Sequence, residues 1–363
     1  MSRRPSTRPT ARPDGEPDSV FTAHDVADVL ATVPTMFGFR PAESFVAIAT
    51  YGPRRRFGFS LRLDLPDLDQ ADAAADVAVQ HLRRQGADGA ILLGISEDHE
   101  RAEAVVRAGL ARLEPDITPV VVAWADGQRY WEPLPRFPRR GVRYEAPAHH
   151  EAVVRAVAAG QEVLADREQL VARFAGCTGA VLDTMADATE AELDRILRLF
   201  GENPTDSTLV GAAMSELDPI LDRALHEQER LHDREVAVIS LWCASVMVRD
   251  ELMSRINRDT ARDWLRVLTD VSGRVVAPFV PSVLCLAGFA AYLTGDGAQA
   301  VIALERSLKA DPQHRLSLLL MQLIQGGVSP EQYEAMGEMT IVEAQKDRAE
   351  RERTLRLLRE RSA

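Results

Sequence analysis

Residues 281–312, PSVLCLAGFAAYLTGDGAQAVIALERSLKADP, decide how the larger half of this chain is built. Two short amphipathic helical stretches flank Thr294-Gly295-Asp296, a trio that favours a turn over continued helix. Ala287, Gly288 and Ala291 recur before the turn, and Ala300, Leu304 and Ser307 after it, until Pro312 stops the second stretch. Small residues on facing sides let two helix axes come close, so the stretch predicts an antiparallel helical hairpin.

The order and gaps follow the 34-residue tetratricopeptide repeat, a helix-turn-helix unit that stacks on its neighbours. Stacked hairpins leave a groove that accepts a peptide or another helix, so Tyr292 and Arg306 become candidate binding residues and another protein the expected partner. Everything from Thr208 to Val342 reads as helix. Leu209, Met214, Leu217, Leu221 and Leu225 lead into Val236, Ile239 and Trp242, then Leu265 and Leu268, without a strand pattern.

The amino-terminal half has a different period. Thr22 is placed to cap a helix carrying Val26, Val29, Leu30 and Val33, with Pro34 as its stop. Ser44 to Thr50 and Phe57 to Leu65 predict a hairpin across Gly52-Pro53 and three arginines. Next come a helix from Asp69 to Gln85, an apolar strand from Ala90 to Ile95, a helix from Asp98 to Leu113 and an apolar strand from Pro119 to Trp124. Strands without polar alternation, joined by a helix, predict a parallel pair buried on both faces. Asp126-Gly127 then turns into an antiparallel strand at Gln128 to Trp131.

The expected architecture is α+β or α/β. A mixed sheet with flanking helices occupies 21–176, a connection 177–206, and an all-α, tetratricopeptide-like domain 207–342. A disordered basic tail at 1–20 and a charged helix at 343–363 lie outside them.

Composition narrows the function classes. Forty-three basic against 55 acidic residues give a net charge of -12, which disfavours nucleic acid as a bulk partner. No run approaches a membrane span and the amino terminus lacks an apolar signal segment, so the expected setting is the cytoplasm. Cys177, Cys243 and Cys285 have no paired spacing and read as reduced core thiols. No cofactor is expected, and the only lysines are Lys309 and Lys346.

Four stretches together resemble the actinobacterial proteins grouped as domain of unknown function 4192. They are Val33-Pro34 with Gly38-Phe39-Arg40-Pro41-Ala42-Glu43-Ser44-Phe45-Val46; Arg62-Leu63-Asp64-Leu65-Pro66; Asp166-Arg167-Glu168; and Gly295-Asp296-Gly297-Ala298. The likeness covers most of Asp25 to Pro330 and implies no activity. A Cys-Cys-Pro element that the resemblance would place after the sheet is replaced here by Arg136-Phe137-Pro138-Arg139-Arg140.

No phosphate loop, paired-cysteine zinc site, metalloprotease helix or nucleophile elbow is present. His226, Glu229 and His232 lack the second Glu-x-x-His pair that a di-iron bundle needs and read as a solvated face, so no metal is expected. His149-His150-Glu151 reads as a helix start. Asp64, Asp98 and Asp126 follow strand ends, where open α/β sheets place ligands, and carboxylates converging there would hold Mg²⁺ for phosphoester or nucleotide hydrolysis. Arg40, Glu43 and Ser44 form an exposed polar loop suited to an anionic metabolite or a partner's carboxylate. The leading reading is a non-enzymatic interaction or regulatory protein, with homo-oligomerisation open; the hydrolase is the alternative.

Overall fold

The computed structural model describes residues 23–336 except 114, 146–149, 159–161 and 201–205. The tail 1–20, Thr22, His149 and the charged segment 343–363 lie outside the described residues.

Helix α1 (Val26–Phe37) opens at Asp25, whose carboxylate accepts a hydrogen bond from Asp28 N at 2.9 Å. It does not stop at Pro34 but runs to Phe37 and closes at Gly38, which is left-handed with φ 71. Proline removes the N–H that would reach back four residues and crowds the carbonyl there, yet one further turn forms, and the Thr32 and Thr35 hydroxyls add bonds to the Asp28 and Thr32 carbonyls.

Strands β1 (Ser44–Tyr51), β2 (Arg56–Asp64), β3 (Gly89–Ile95), β4 (Thr118–Ala125), β5 (Arg129–Trp131) and β6 (Val142–Arg143) form one mixed sheet in the order β2-β1-β3-β4-β5-β6. As expected, β3 and β4 are parallel, and β5 returns antiparallel beside β4. Helices α2 (Ala71–Arg84) and α3 (His99–Leu113) cover the face that carries Phe45, Ala47, Leu92 and Trp124. The strand period of two sends Val46, Ile48, Ile91, Leu93 and Ala123 to the other face. There they join a core that continues through α1 into the helical half.

That half contains α4 (Glu151–Ala158), α5 (Arg167–Arg173), α6 (Ala180–Phe200), α7 (Asp206–Asp222) with a π-helical turn after it, α8 (Asp233–Cys243), α9 (Val246–Ser254), α10 (Ala261–Arg274), α11 (Val280–Leu293), α12 (Gly297–Ala310), α13 (Arg315–Gln325) and α14 (Pro330–Met336). The segment 177–206, read as a connection, holds the 21-residue α6. Gly176 and Gly179 precede it and leave its interior intact, while Asn203-Pro204 lie outside the described residues.

Helices α11 and α12 pack antiparallel, with Ser307 Oγ donating to Pro281 O at 2.9 Å. Gly288 sets their approach, because a Cβ there would lie 2.8 Å from Leu304 Cγ and 3.2 Å from Ala300 O. Asp296 caps α12 by accepting from Gln299 N at 2.9 Å. No described helix is long and apolar enough to cross a membrane.

None of the three cysteines is in a disulfide. Burial pushes the Cys243 thiol up to about 12, Cys285 is equally enclosed, and only Cys177 is partly exposed. Thiolate is the reactive form, so a colorimetric thiol titration of native protein should show one fast-reacting group, lost in Cys177→Ser, with the others appearing only in denaturant. Rapid labelling of Cys243 would contradict the packing.

Candidate functional site

Antiparallel and parallel registers together bring four chain segments to one end of the sheet. Ser44 pairs with Asp64 on one side and Ile95 on the other, and Ile95 pairs with Ala125. Asp64, Ser96, Asp98 and Asp126 therefore share the sheet end at which strands β2, β3 and β4 finish, as the strand order required.

They do not converge. Asp64 ends β2 and Asp126 follows β4, three strand spacings apart, or about 14 Å at the usual 4.8 Å per spacing. One ion needs its oxygens within about 2.6 Å of itself. Each carboxylate is also occupied locally. Asp64 pairs with Arg62 at 2.8 Å, and Asp98 accepts from Arg101 N at 3.2 Å in the first turn of α3. Asp126 Oδ1 accepts from Gln128 N and Arg129 N, and its Oδ2 faces His99 Nε2 at 3.6 Å. Among the described residues no group of three His, Cys, Asp or Glu side chains could hold a metal ion. The shared Mg²⁺ site expected of Asp64 and Asp126 is thus corrected by the strand order, which their sequence positions alone do not reveal.

The Arg40-Glu43-Ser44 loop has a more instructive geometry. Glu43 adopts a left-handed φ of 43, unusual for a residue with a side chain. Its backbone carbonyl takes Leu65 N at 2.8 Å, and its carboxylate accepts from Ser96 Oγ at 2.6 Å and faces Arg101 Nη1 at 3.6 Å. Ser96 Oγ in turn accepts from Asp98 N at 2.8 Å. Arg101 goes on to the Leu65 and Pro66 carbonyls. Buried Ser44 accepts from Arg62 Nε at 2.8 Å, while the Arg62 guanidinium lies 5.7 Å from the Phe39 ring centroid.

Glu43 and Ser44 are therefore fastened into the framework, and sequence reading missed the residues that fasten them: Arg62, Ser96 and Arg101. Arg101 sits on the polar face of a helix, where nothing local signals its distant partners. Within 38–46, Gly38 turns the chain, Phe39, Pro41, Phe45 and Val46 are buried, and Arg40 is exposed. Arg40 N donates to Leu164 O, but no polar partner holds its guanidinium among the described residues.

The other two candidates are internal. Tyr292 donates its hydroxyl to Val328 O at 3.0 Å and meets the Tyr333 ring of α14 edge-on at 6.1 Å. Burial, with Tyr333 and two glutamates nearby, raises its pKa. Arg306 is half-buried against Gly176, and burial lowers its pKa. The groove expected beside the hairpin is filled at these two positions by the protein's own α14 and by the chain around Gly176.

Sheet, helices and polar lock define an α+β protein in which a mixed six-stranded sheet is continuous through its core with a helical array. The chain matches the family model described as Domain of unknown function (DUF4192) over residues 27–331, and it belongs to that family. Neither curated proteins nor solved structures include a match to it.

Proposed function

We propose that this protein is a non-enzymatic interaction or regulatory protein of the actinobacterial cytoplasm. It engages another protein through Arg40, with its tetratricopeptide-like hairpin serving as packing for the helical half. The observation that carries this reading is the division of labour within residues 38–46. Glu43 and Ser44 are bonded into the sheet end, and Arg40 is exposed with no partner for its guanidinium among the described residues. A guanidinium presents a planar fork to a carboxylate, and the fixed backbone beneath Arg40 confines the ordering cost of binding to its side chain.

The test is capture from native lysate with the tagged full-length chain. A stoichiometric partner should be recovered with wild type and lost with Arg40→Glu, while circular dichroism of the variant stays unchanged. Recovery of the bare chain alone would overturn the reading. So would phosphoester turnover that disappears in Asp64→Asn.

A further inference from the structure

Between β5 and β6 the chain concentrates positive charge against its own overall sign. Residues 129–143 contain Arg129, Arg136, Arg139, Arg140 and Arg143 against Glu132 alone, in a protein of net charge -12. Arg136, Arg139, Arg140 and Arg143 are exposed, and none has a carboxylate within ion-pair distance among the described residues. Strand register adds to the repulsion, since Arg129 and Arg143 are direct cross-strand partners. Like charges so placed oppose folding, and an arriving anion relieves them.

The loop is nevertheless fixed in shape. Trp131 Nε1 donates to Arg139 O at 3.2 Å, and Arg129 Nη1 to Arg140 O at 2.9 Å. Phe137 N bonds Leu134 O, Gly141 N bonds Pro138 O, and three prolines restrict the backbone. The bonds use backbone carbonyls, and the guanidiniums of Arg139 and Arg140 have no acceptor among the described residues. Beside them, Leu134, Pro135, Arg136, Phe137 and Pro138 line an open hollow of about 420 Å³ that is mostly apolar. Leu134 is 58% exposed.

The geometry points to a docking site for an acidic protein segment that carries a bulky apolar residue. The apolar residue fills the hollow at Leu134 and Phe137, and its flanking carboxylates pair with Arg136, Arg139 and Arg140. This deepens the interaction reading and rests on it, with a second contact distinct from Arg40.

Nucleic acid fits less well for two reasons. Stacking needs a free aromatic face, yet Phe137 packs on Tyr130 with ring centroids at 5.8 Å, and Tyr144 takes another side of Tyr130 at 6.3 Å. A long polyanion would also cross the acidic remainder of the surface, which repels it over a screening length of about 8 Å.

The probe is a fluorescein-labelled dodecapeptide of alternating Glu and Asp with one central Leu, titrated into the full chain by anisotropy. Binding should weaken with added salt, fall about tenfold or more in Arg139→Glu/Arg140→Glu, and fall severalfold in Leu134→Ser. Arg54→Glu/Arg56→Glu, in the β1–β2 hairpin, should bind like wild type. Absence of binding at low salt, or equal binding by the loop variants, overturns the site. An oligothymidylate of the same length that binds more tightly than the peptide, indifferent to Leu134→Ser, replaces it with a nucleic-acid surface. Loss of the peptide site alone leaves an Arg40-dependent partner standing, so the two readings fail separately.

Discussion

Gly288→Val should lower the stability of the folded protein by about 3 kcal/mol, near the upper end of what overpacking a core costs. The first added carbon already falls 2.8 Å from Leu304 Cγ and 3.0 Å from Leu304 Cδ2, inside any ordinary van der Waals contact. Leucine can rotate, but Ala300 O at 3.2 Å belongs to the backbone and moves only with α12. Gly288→Ala isolates the two effects. Alanine carries that same first carbon but gains about 1 kcal/mol of helix propensity over glycine, so its net cost should fall between wild type and valine. Urea unfolding reads the series as midpoints that fall at constant slope from glycine through alanine to valine. Leu304→Ala removes a buried side chain and is costly alone, but combined with Gly288→Val its cost should be less than additive, because the deleted atoms supply the missing space. A valine variant within about 0.5 kcal/mol of wild type would mean that α11 and α12 are not in close contact.

The same glycine explains why the hairpin was legible. Gly288, Ala291, Ala300 and Ser307 carry their information locally: residue size at helical spacing states that something must come close, and the nearest candidate is the adjoining helix. The parallel β3–β4 pair was legible for a similar reason, since apolar runs separated by one helix leave few other arrangements. What sequence reading could not supply was order across the sheet. Asp64 and Asp126 both stand at strand ends along the chain, yet β1 and β3 lie between β2 and β4 in the sheet and separate them. That Tyr292 is buried and Arg306 half-buried was hidden for the complementary reason. Whether a hairpin's outer face is groove or core depends on what packs there, and Tyr333 and the chain around Gly176 come from well before and after the hairpin. Charge on the Arg136–Arg143 loop was visible in the sequence, but the fixed shape that gives it a use depends on Trp131 and Arg129 finding carbonyls across the turn.

Glu192 offers the sharpest test of whether α6 is an integral element or a tether. Its carboxylate side chain is 10% exposed and accepts from Arg195 Nε at 2.6 Å and Arg234 Nε at 2.8 Å, joining α6 to α8. Arg195 also reaches Glu216 of α7, whose other oxygen accepts from Trp242 Nε1 at 3.0 Å. Burial of Glu192 opposes ionisation, but the hydrogen bonds from Arg234 and Arg195 outweigh it and hold its pKa below the ordinary value. A carboxyl lowered in the folded state contributes stability that is complete above its unfolded value of about 4.3 and is lost as pH falls through the folded value. Glu192→Gln should therefore cost about 2 kcal/mol at neutral pH, in the range for hydrogen bonds to charged groups. The gap to wild type should then close in acid, because both proteins are uncharged at that position once the carboxyl protonates. Were α6 only a tether, the substitution would leave the main unfolding transition where it was at every pH. A flat difference between wild type and Glu192→Gln from neutral to acid would remove the ionised Glu192–Arg195–Arg234 cluster from the forces holding this fold.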